Sequence, residues 1–343
     1  MTTEMTSWQD YLRPDNLDAL ADCCHKTCSR SFEQQQARLL LLWERLKPKN
    51  VLFLGAGGLN DLPIRQFLEA GTRVTLVDWV PGIIRAGLAR EMVYGPPESP
   101  ACIICRTQDR CPANLCSNYF PYLHPRNVCL NFKPNRAPGC RCANYCPGSQ
   151  PQVVEQDVSG GIGQQFAESV LPYLNRAPNS TTALSRLRKA LGATRENDLC
   201  LPAASFDMVI STMVVSQFYF EPLQYMVQNL LARYPIPDSH RDSVESRLQE
   251  LRRILFTKML AGHFKEIKRL LKPGGRAYLS FEICHRKKNS QFWFVPDYTG
   301  LVLAEISRRF LCSFDVTSPA EAMTQTETCE GESVVLSFLL SAA

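Results

Sequence analysis

The chain has 343 residues, more than a typical single domain, so one large elaborated domain or a domain carrying a sizeable insert is expected. A net charge of +5 is too weak to argue nucleic-acid binding from the total, which leaves the distribution of charge to decide. The N-terminus lacks the basic, apolar and small-residue succession of a signal peptide, and no stretch approaches the roughly 18 apolar residues of a membrane span, so a cytoplasmic protein with no membrane partner is expected.

Residues 1–50 read as a helical lead-in: Trp8, Tyr11 and Leu12, then Leu17, Leu20 and Ala21, recur at helical intervals, and Ser31–Arg45 carries the apolar run LLLLW. Cys23, Cys24, His25 and Cys28 have ligand-like spacing there, but no second half of a tetrad lies nearby, and buried or incidental thiols on a helix are the preferred reading. Val51–Leu54 is an apolar strand that breaks into the turn Gly55-Ala56-Gly57-Gly58. A helix is expected from about Asn60, then a second strand, Val74–Val77, ending on Asp78. Such glycines let the backbone approach a ligand closely, a helix start offers N–H groups, and Asp78 is placed to accept ribose hydroxyls. The motif points to an adenosine-type cofactor without choosing among them.

A helix is expected over Pro81–Tyr94, after which the composition turns to Pro, Cys, Asn and Arg as far as Pro151. A strand over Gln152–Val158 contains a second acid, Asp157, and helices over Gly163–Leu174 and Thr181–Leu191 precede a buried strand, Ser205–Thr212. Helices over 222–234 and 241–271 follow, the second with a charged middle that implies a solvated face. Leu270–Phe281 reads as a helix end, a Pro-Gly-Gly turn and a strand, and Pro296–Leu311 as a helix. Cys312–Val316 and Ser333–Ser341 are strands with too little helix between them for a crossover, hence an antiparallel pair. This alternation predicts an α/β fold with a mainly parallel sheet covered on both faces.

The succession resembles the class I S-adenosylmethionine-dependent methyltransferases over about residues 35–343, apart from the inserts. Gly55-Ala56-Gly57-Gly58 is similar to the family's cofactor loop and Asp78 to its ribose acid. Asp157 in QDV resembles the acid near the adenine amino group, Phe206–Ile210 the fourth strand, and Leu271-Lys272-Pro273-Gly274-Gly275 the turn into the fifth. The resemblance implies a Rossmann-like, doubly wound, mainly parallel seven-stranded sheet with an antiparallel last strand. It also implies S-adenosylmethionine as cofactor, held by Gly55, Ala56, Gly57, Gly58, Asp78, Trp79, Asp157 and Val158, with Ser211 and Thr212 on the methyl side. Two positions depart from the pattern. Phe53 stands where the first strand usually carries an acid, and Leu59 replaces the loop's last glycine, which leaves Asn60 or Asp61 as substitutes for holding the methionine ammonium. GAGGL and LVD also resemble the nucleotide loop of enzymes that adenylate ubiquitin-like proteins, and Asp78 suits an NAD enzyme too. Neither explains LLKPGGRAYLSF at its distance.

Residues 51–94 and 152–343 are thus the expected core, 1–50 the lead-in and 95–151 a cysteine-rich insert. The insert holds Cys102, Cys105, Cys111, Cys116, Cys129, Cys140, Cys142 and Cys146, enough thiols for two tetrahedral zinc sites. An iron–sulfur cluster or disulfides are the alternatives, although the spacings match no ferredoxin pattern. Arg106, Arg110, Arg126, Lys133, Arg136 and Arg141 interleave with aromatic residues there, a mixture that suits RNA as well as a plain solvated face.

Methyl transfer is an in-line displacement that needs alignment more than a base, and the acceptor implied is a small molecule or a protein side chain. Ser211–Gln217 lacks the Asx-Pro-Pro-aromatic sequence of many amino-nitrogen methyltransferases. Phe292, Trp293, Phe294 and Tyr298 are candidates for a substrate wall or ordinary core. His285 and, less so, His263 are candidate bases, the latter set in a charged helical context. A module that binds RNA or protein without catalysis, on the same scaffold, is the competing functional class.

Overall fold

The computed structural model describes residues 32–80, 82–84, 87–88, 119–120, 128–129, 151–219, 230, 233–234, 238–313, 323–327 and 331–342. Two compact units emerge, one over Ser29–Glu155 and one over Gln156–Ala343.

The first unit opens with helix α1 (32–46), strand β1 (Asn50–Leu54), the short helix α2 (Ile64–Glu69) and strand β2 (Arg73–Asp78). Every residue of Val51–Leu54 is buried, as a parallel strand covered on both faces requires. β1 and β2 pair in parallel from Asn50↔Arg73 to Leu54↔Val77. On the other side of β2, β5 (Gln152–Glu155) joins in parallel, from Thr75↔Gln152 to Asp78↔Glu155. Before it come β3 (Tyr119–Phe120) and β4 (Val128–Cys129), a small antiparallel pair within the insert. α1 turns Leu39 and Trp43 inward. The Trp43 ring lies 6.0 Å from Phe67 of α2, and its Nε1–H donates to Thr72 Oγ1 at 2.9 Å.

Two expectations in this unit need correction. α2 begins at Ile64 and not near Asn60, because Pro63 is its N-cap with a non-helical ψ of 57° and disfavours helical backbone at Leu62 before it. The strand expected to reach Val158 ends at Glu155, since the Asp157 carboxylate takes the N–H of Ser159 and of Gln164 and bends the chain out of the ladder. Of the helix expected over Pro81–Tyr94, residues 83–84 and 87–88 are helical and most of the remainder lies outside the described residues. So do the side chains of all eight insert cysteines, and Cys23, Cys24, His25 and Cys28.

The second unit carries α3 (Ile162–Arg176), α4 (Ser180–Ala193), β6 (Phe206–Thr212), a helical segment at 214–219, α5 (Asp238–Leu270) and β7 (Leu271–Lys287). α6 (Tyr298–Arg309), β8 (Phe310–Ser313), β9 (Met323–Glu327) and β10 (Gly331–Ala342) complete it. The strand order is β6-β7-β10-β8, with β9 pairing on β10. β6 and β7 are parallel, while β10 runs antiparallel to β7 and β8, as expected of the last two runs. α4 is capped by Asn179, whose side chain accepts the Thr182 N–H at 2.9 Å.

The expected Pro-Gly-Gly turn is present, with Gly274 in the left-handed region, but it lies inside the bounds of β7 and not ahead of the strand. The register passes from Phe206↔Leu271 to Met208↔Arg276, so Lys272–Gly275 are accommodated by Gly274 at φ 79°. β7 continues to Lys287, past the expected end at Phe281, because β10 pairs with it as far as Gly331↔Lys287. All seven expected strands are present as β1, β2, β5, β6, β7, β8 and β10, with β8 at Phe310–Ser313 in place of Cys312–Val316, and β3, β4 and β9 are additions. The protein is an α/β, Rossmann-like, doubly wound fold with mainly parallel strands and an antiparallel last strand.

Candidate functional site

In the first unit the loop after β1 is tied to the carboxyl end of β2. The N–H groups of Gly55 and Ala56 both donate to the Val77 carbonyl, at 2.8 and 3.0 Å. Asp78 Oδ2 accepts the Gly57 N–H at 2.8 Å and Oδ1 the Val80 N–H at 2.9 Å. Both carboxylate oxygens thus accept backbone N–H groups, and Asp78 shapes the loop. A Cβ built on Gly57 meets nothing within 4 Å, which leaves the loop backbone open to close approach. At Gly87, by contrast, a Cβ would fall 2.5 Å from the Gly58 carbonyl, so the helical residue supports the loop from beneath. An open glycine cradle beside a carboxylate fits an adenosine-type cofactor.

Both departures from the family pattern acquire a physical account. Leu59 adopts φ 63° while fully buried, so it takes the backbone of the missing glycine and fills the core with its side chain. Phe53 is 1% exposed and packs on Phe67 at 5.8 Å, so this position belongs to the core and offers no charge. Asn60, Asp61 and Trp79 are half-buried, and the Asn60 carbonyl accepts the Gln36 side-chain N–H at 2.8 Å. A groove of about 570 Å³ lies at the amino-terminal end of β1 and β2, lined by Trp43, Lys47, Pro48, Gly71 and Thr72, away from the glycine loop.

In the second unit Asp157 is 4% exposed and organises the start of α3. Its Oδ1 accepts the Ser159 N–H at 2.8 Å and hydroxyl at 2.6 Å, and Oδ2 the Gln164 N–H at 2.8 Å. Burial pushes its pKa up, and those hydrogen bonds pull it back down. Gly160 and Gly161, at φ 70° and 72°, carry the chain round, and Asn197 N–H donates to the Gly160 carbonyl at 2.8 Å.

Ser211 and Thr212 end β6 with 0% and 5% exposure. The Ser211 hydroxyl lies 2.9 Å from His263 Nε2, and His263 Nδ1 lies 2.8 Å from the Val158 carbonyl. Sequence reasoning underrated His263: it is fully buried, and burial lowers its pKa from 6.5 to about 4. The signal was its place in the apolar stripe of α5, in step with Leu251, Leu255, Met259, Ile267 and Leu270, all of them buried. His285 lies 3.1 Å from Glu282 and joins an antiparallel bridge to Phe294.

The aromatic candidates separate. Tyr298 is fully buried, its hydroxyl donating to the Glu282 carbonyl at 2.9 Å, whereas Phe292 is 83% exposed and Trp293 and Phe294 are partly so. Tyr219, on the segment after β6, donates its hydroxyl to Asp297 under the Arg252 guanidinium, 3.6 Å from its ring centre. Burial, reinforced by Asp297, pushes its pKa up to about 12. The buried hydroxyl of Ser280, paired with Thr212 across β6 and β7, has no hydrogen-bond partner.

Among the described residues no group of three or more His, Cys, Asp or Glu side chains could hold a metal ion, and no helix is long and apolar enough to cross a membrane. No protein-family model matches the chain, and the comparison with curated proteins gives no match. Among solved structures it is similar to an S-adenosylmethionine-dependent methyltransferase from Methanosarcina mazei, with 12% identity and TM-score 0.36 over 86% of this chain and 93% of that one. It is also similar to one from Clostridium acetobutylicum, at 9% identity and TM-score 0.37 over 91% and 92%. A third, the 1,6-didemethyltoxoflavin-N1-methyltransferase of Burkholderia thailandensis, has 14% identity and TM-score 0.35 over 90% and 78%. At these values the function has to be read from the chain's own residues.

Proposed function

We propose that this protein is an S-adenosylmethionine-dependent methyltransferase acting on a small molecule or a protein side chain. The observation that carries the proposal is the Asp78 carboxylate at the end of β2, bound to the N–H of Gly57 in an open glycine loop. The antiparallel β10 between β7 and β8 favours this over a nicotinamide dehydrogenase, whose sheet is expected to continue in parallel. Gly55, Ala56, Gly57, Gly58, Asp78 and Trp79 take the ribose and methionine end, Asp157 and Val158 the adenine end, and Ser211 and Thr212 the methyl side. With Phe53 in the core, Asn60 or Asp61 takes the methionine ammonium.

The cofactor, when bound, supplies an activated methyl group. The chain's part is to align the acceptor and exclude water, a contribution of about 7–11 kcal/mol where orientation is good. His263 has a depressed pKa and both ring nitrogens engaged, so it is no general base. His285 beside Glu282 remains the candidate where the acceptor must lose a proton. The insert at 95–151 is proposed as a zinc-stabilised recognition module, and residues 51–94 and 152–343 as the core.

Incubation with tritium-labelled S-adenosylmethionine and fractionated cell extract tests the proposal. Label entering the small-molecule or protein fraction is expected. Label confined to RNA would move the acceptor class to the insert's basic aromatic residues. A folded protein that transfers none to any fraction would favour the binding-module alternative.

A further inference from the structure

Gly262 and His263 of α5 hold the segment Asp157–Gly161 from one side. A Cβ at Gly262 would lie 2.3 Å from the Ser159 carbonyl oxygen, so helix and loop backbones are in direct contact there. At the next residue His263 Nδ1 reaches the Val158 carbonyl. A carbonyl only accepts, so Nδ1 carries the proton, and the neutral ring uses Nε2 to accept the Ser211 hydroxyl. Phe218 meets the ring edge-on at 5.3 Å, and Phe264 lies tilted to it at 6.0 Å. An aliphatic residue would fill the same place in the stripe, but it would strand two buried polar groups. The connection is directional, with one donor toward the loop and one acceptor toward β6. The bonds of Asp157 to Ser159 and Gln164 stay within the same segment, so they stiffen the loop from within and do not tie it to α5.

We infer that His263 is a positioning residue for cofactor recognition, fixing through the Val158 carbonyl the loop on which an adenine nucleoside is read and tying that loop to Ser211. The inference rests on the proposed S-adenosylmethionine site.

Two substitutions divide the histidine's functions. His263→Asn puts an amide N–H where Nδ1 was, and His263→Gln puts its polar end near the place of Nε2. Both lose the ring, so a loss common to both reports packing and a difference reports the bond to Val158. Hydrogen exchange over residues 156–166 is read in ligand-free protein, and affinity is read for adenosine and for S-adenosylhomocysteine. His263→Asn is expected to stay within about threefold of wild type, while His263→Gln exchanges faster and binds both ligands about tenfold more weakly. Equal behaviour of the two variants overturns the inference while leaving the proposed function standing. Wild-type protein that binds neither ligand overturns the proposed site and the inference with it. Nitrogen NMR of the wild-type ring needs no substitution: the Nδ1-protonated neutral tautomer, with a shift on adding adenosine, is expected. A ring protonated at Nε2, or unmoved at saturating adenosine, contradicts the inference.

Discussion

At Leu59 two effects of opposite sign meet. A left-handed backbone costs a non-glycine residue roughly 1–2 kcal/mol, while deleting a fully buried leucine side chain costs about 2–5 kcal/mol. Burial wins, so Leu59→Gly, which relieves the left-handed backbone, is expected to destabilise the protein by about 1–3 kcal/mol in chemical denaturation; a stabilised variant would refute this weighing. His263 gives a prediction in pH. Its folded pKa of about 4 lies below the ordinary 6.5, so its contribution is fully present above pH 6.5 and is lost as pH falls toward 4. The shift corresponds to roughly 3 kcal/mol. Asp157, whose pKa is raised, acts in the opposite direction at the acid end, so the comparison has to be made against a variant. Urea midpoints between pH 4.5 and 8 should fall on the acid side more steeply for wild type than for His263→Gln. Parallel curves would mean that the histidine is not buried neutral.

Elements whose sequence carried a single message were legible. Val51–Leu54 is a continuous apolar run, Met208–Ile210 is the apolar centre of Phe206–Thr212, and both lie in buried strands. Where two messages competed, the reading went astray. The charged middle of α5 masked an apolar stripe in which His263 takes a core position. The polar MTQTE gave no strand signal because β9 pairs with β10 alone and needs no apolar alternation. The glycine loop was visible as a loop, but the positive φ of its Leu59 depends on tertiary fit there, and the start of α2 is set by Pro63. Packing between elements yields its own prediction. Gly87→Ala would place a methyl group 2.5 Å from the Gly58 carbonyl, so the loop must shift. S-adenosylhomocysteine affinity is expected to fall at least about tenfold, with an unchanged far-ultraviolet circular dichroism spectrum. Undiminished affinity would separate Gly87 from the cofactor loop.

On the scale of the whole molecule, the chain carries an α/β scaffold and a cysteine-rich insert whose composition cannot supply much of a core. One structural zinc contributes about 10–16 kcal/mol of apparent folding free energy in small domains, enough to order such a stretch. Elemental analysis of the purified protein should therefore find one or two equivalents of zinc, and less than half an equivalent would remove the metal from the account. The glycine loop and Asp78 are proposed to serve S-adenosylmethionine. Calorimetric titration of the folded, metal-replete protein with S-adenosylhomocysteine, beside the Asp78→Ala variant, tests it most directly. A single site is predicted for wild type, with affinity falling about a hundredfold in the variant as two charge-assisted backbone bonds and the ribose acceptor are lost. Absence of binding by wild type, or equal affinity in the variant, would contradict it.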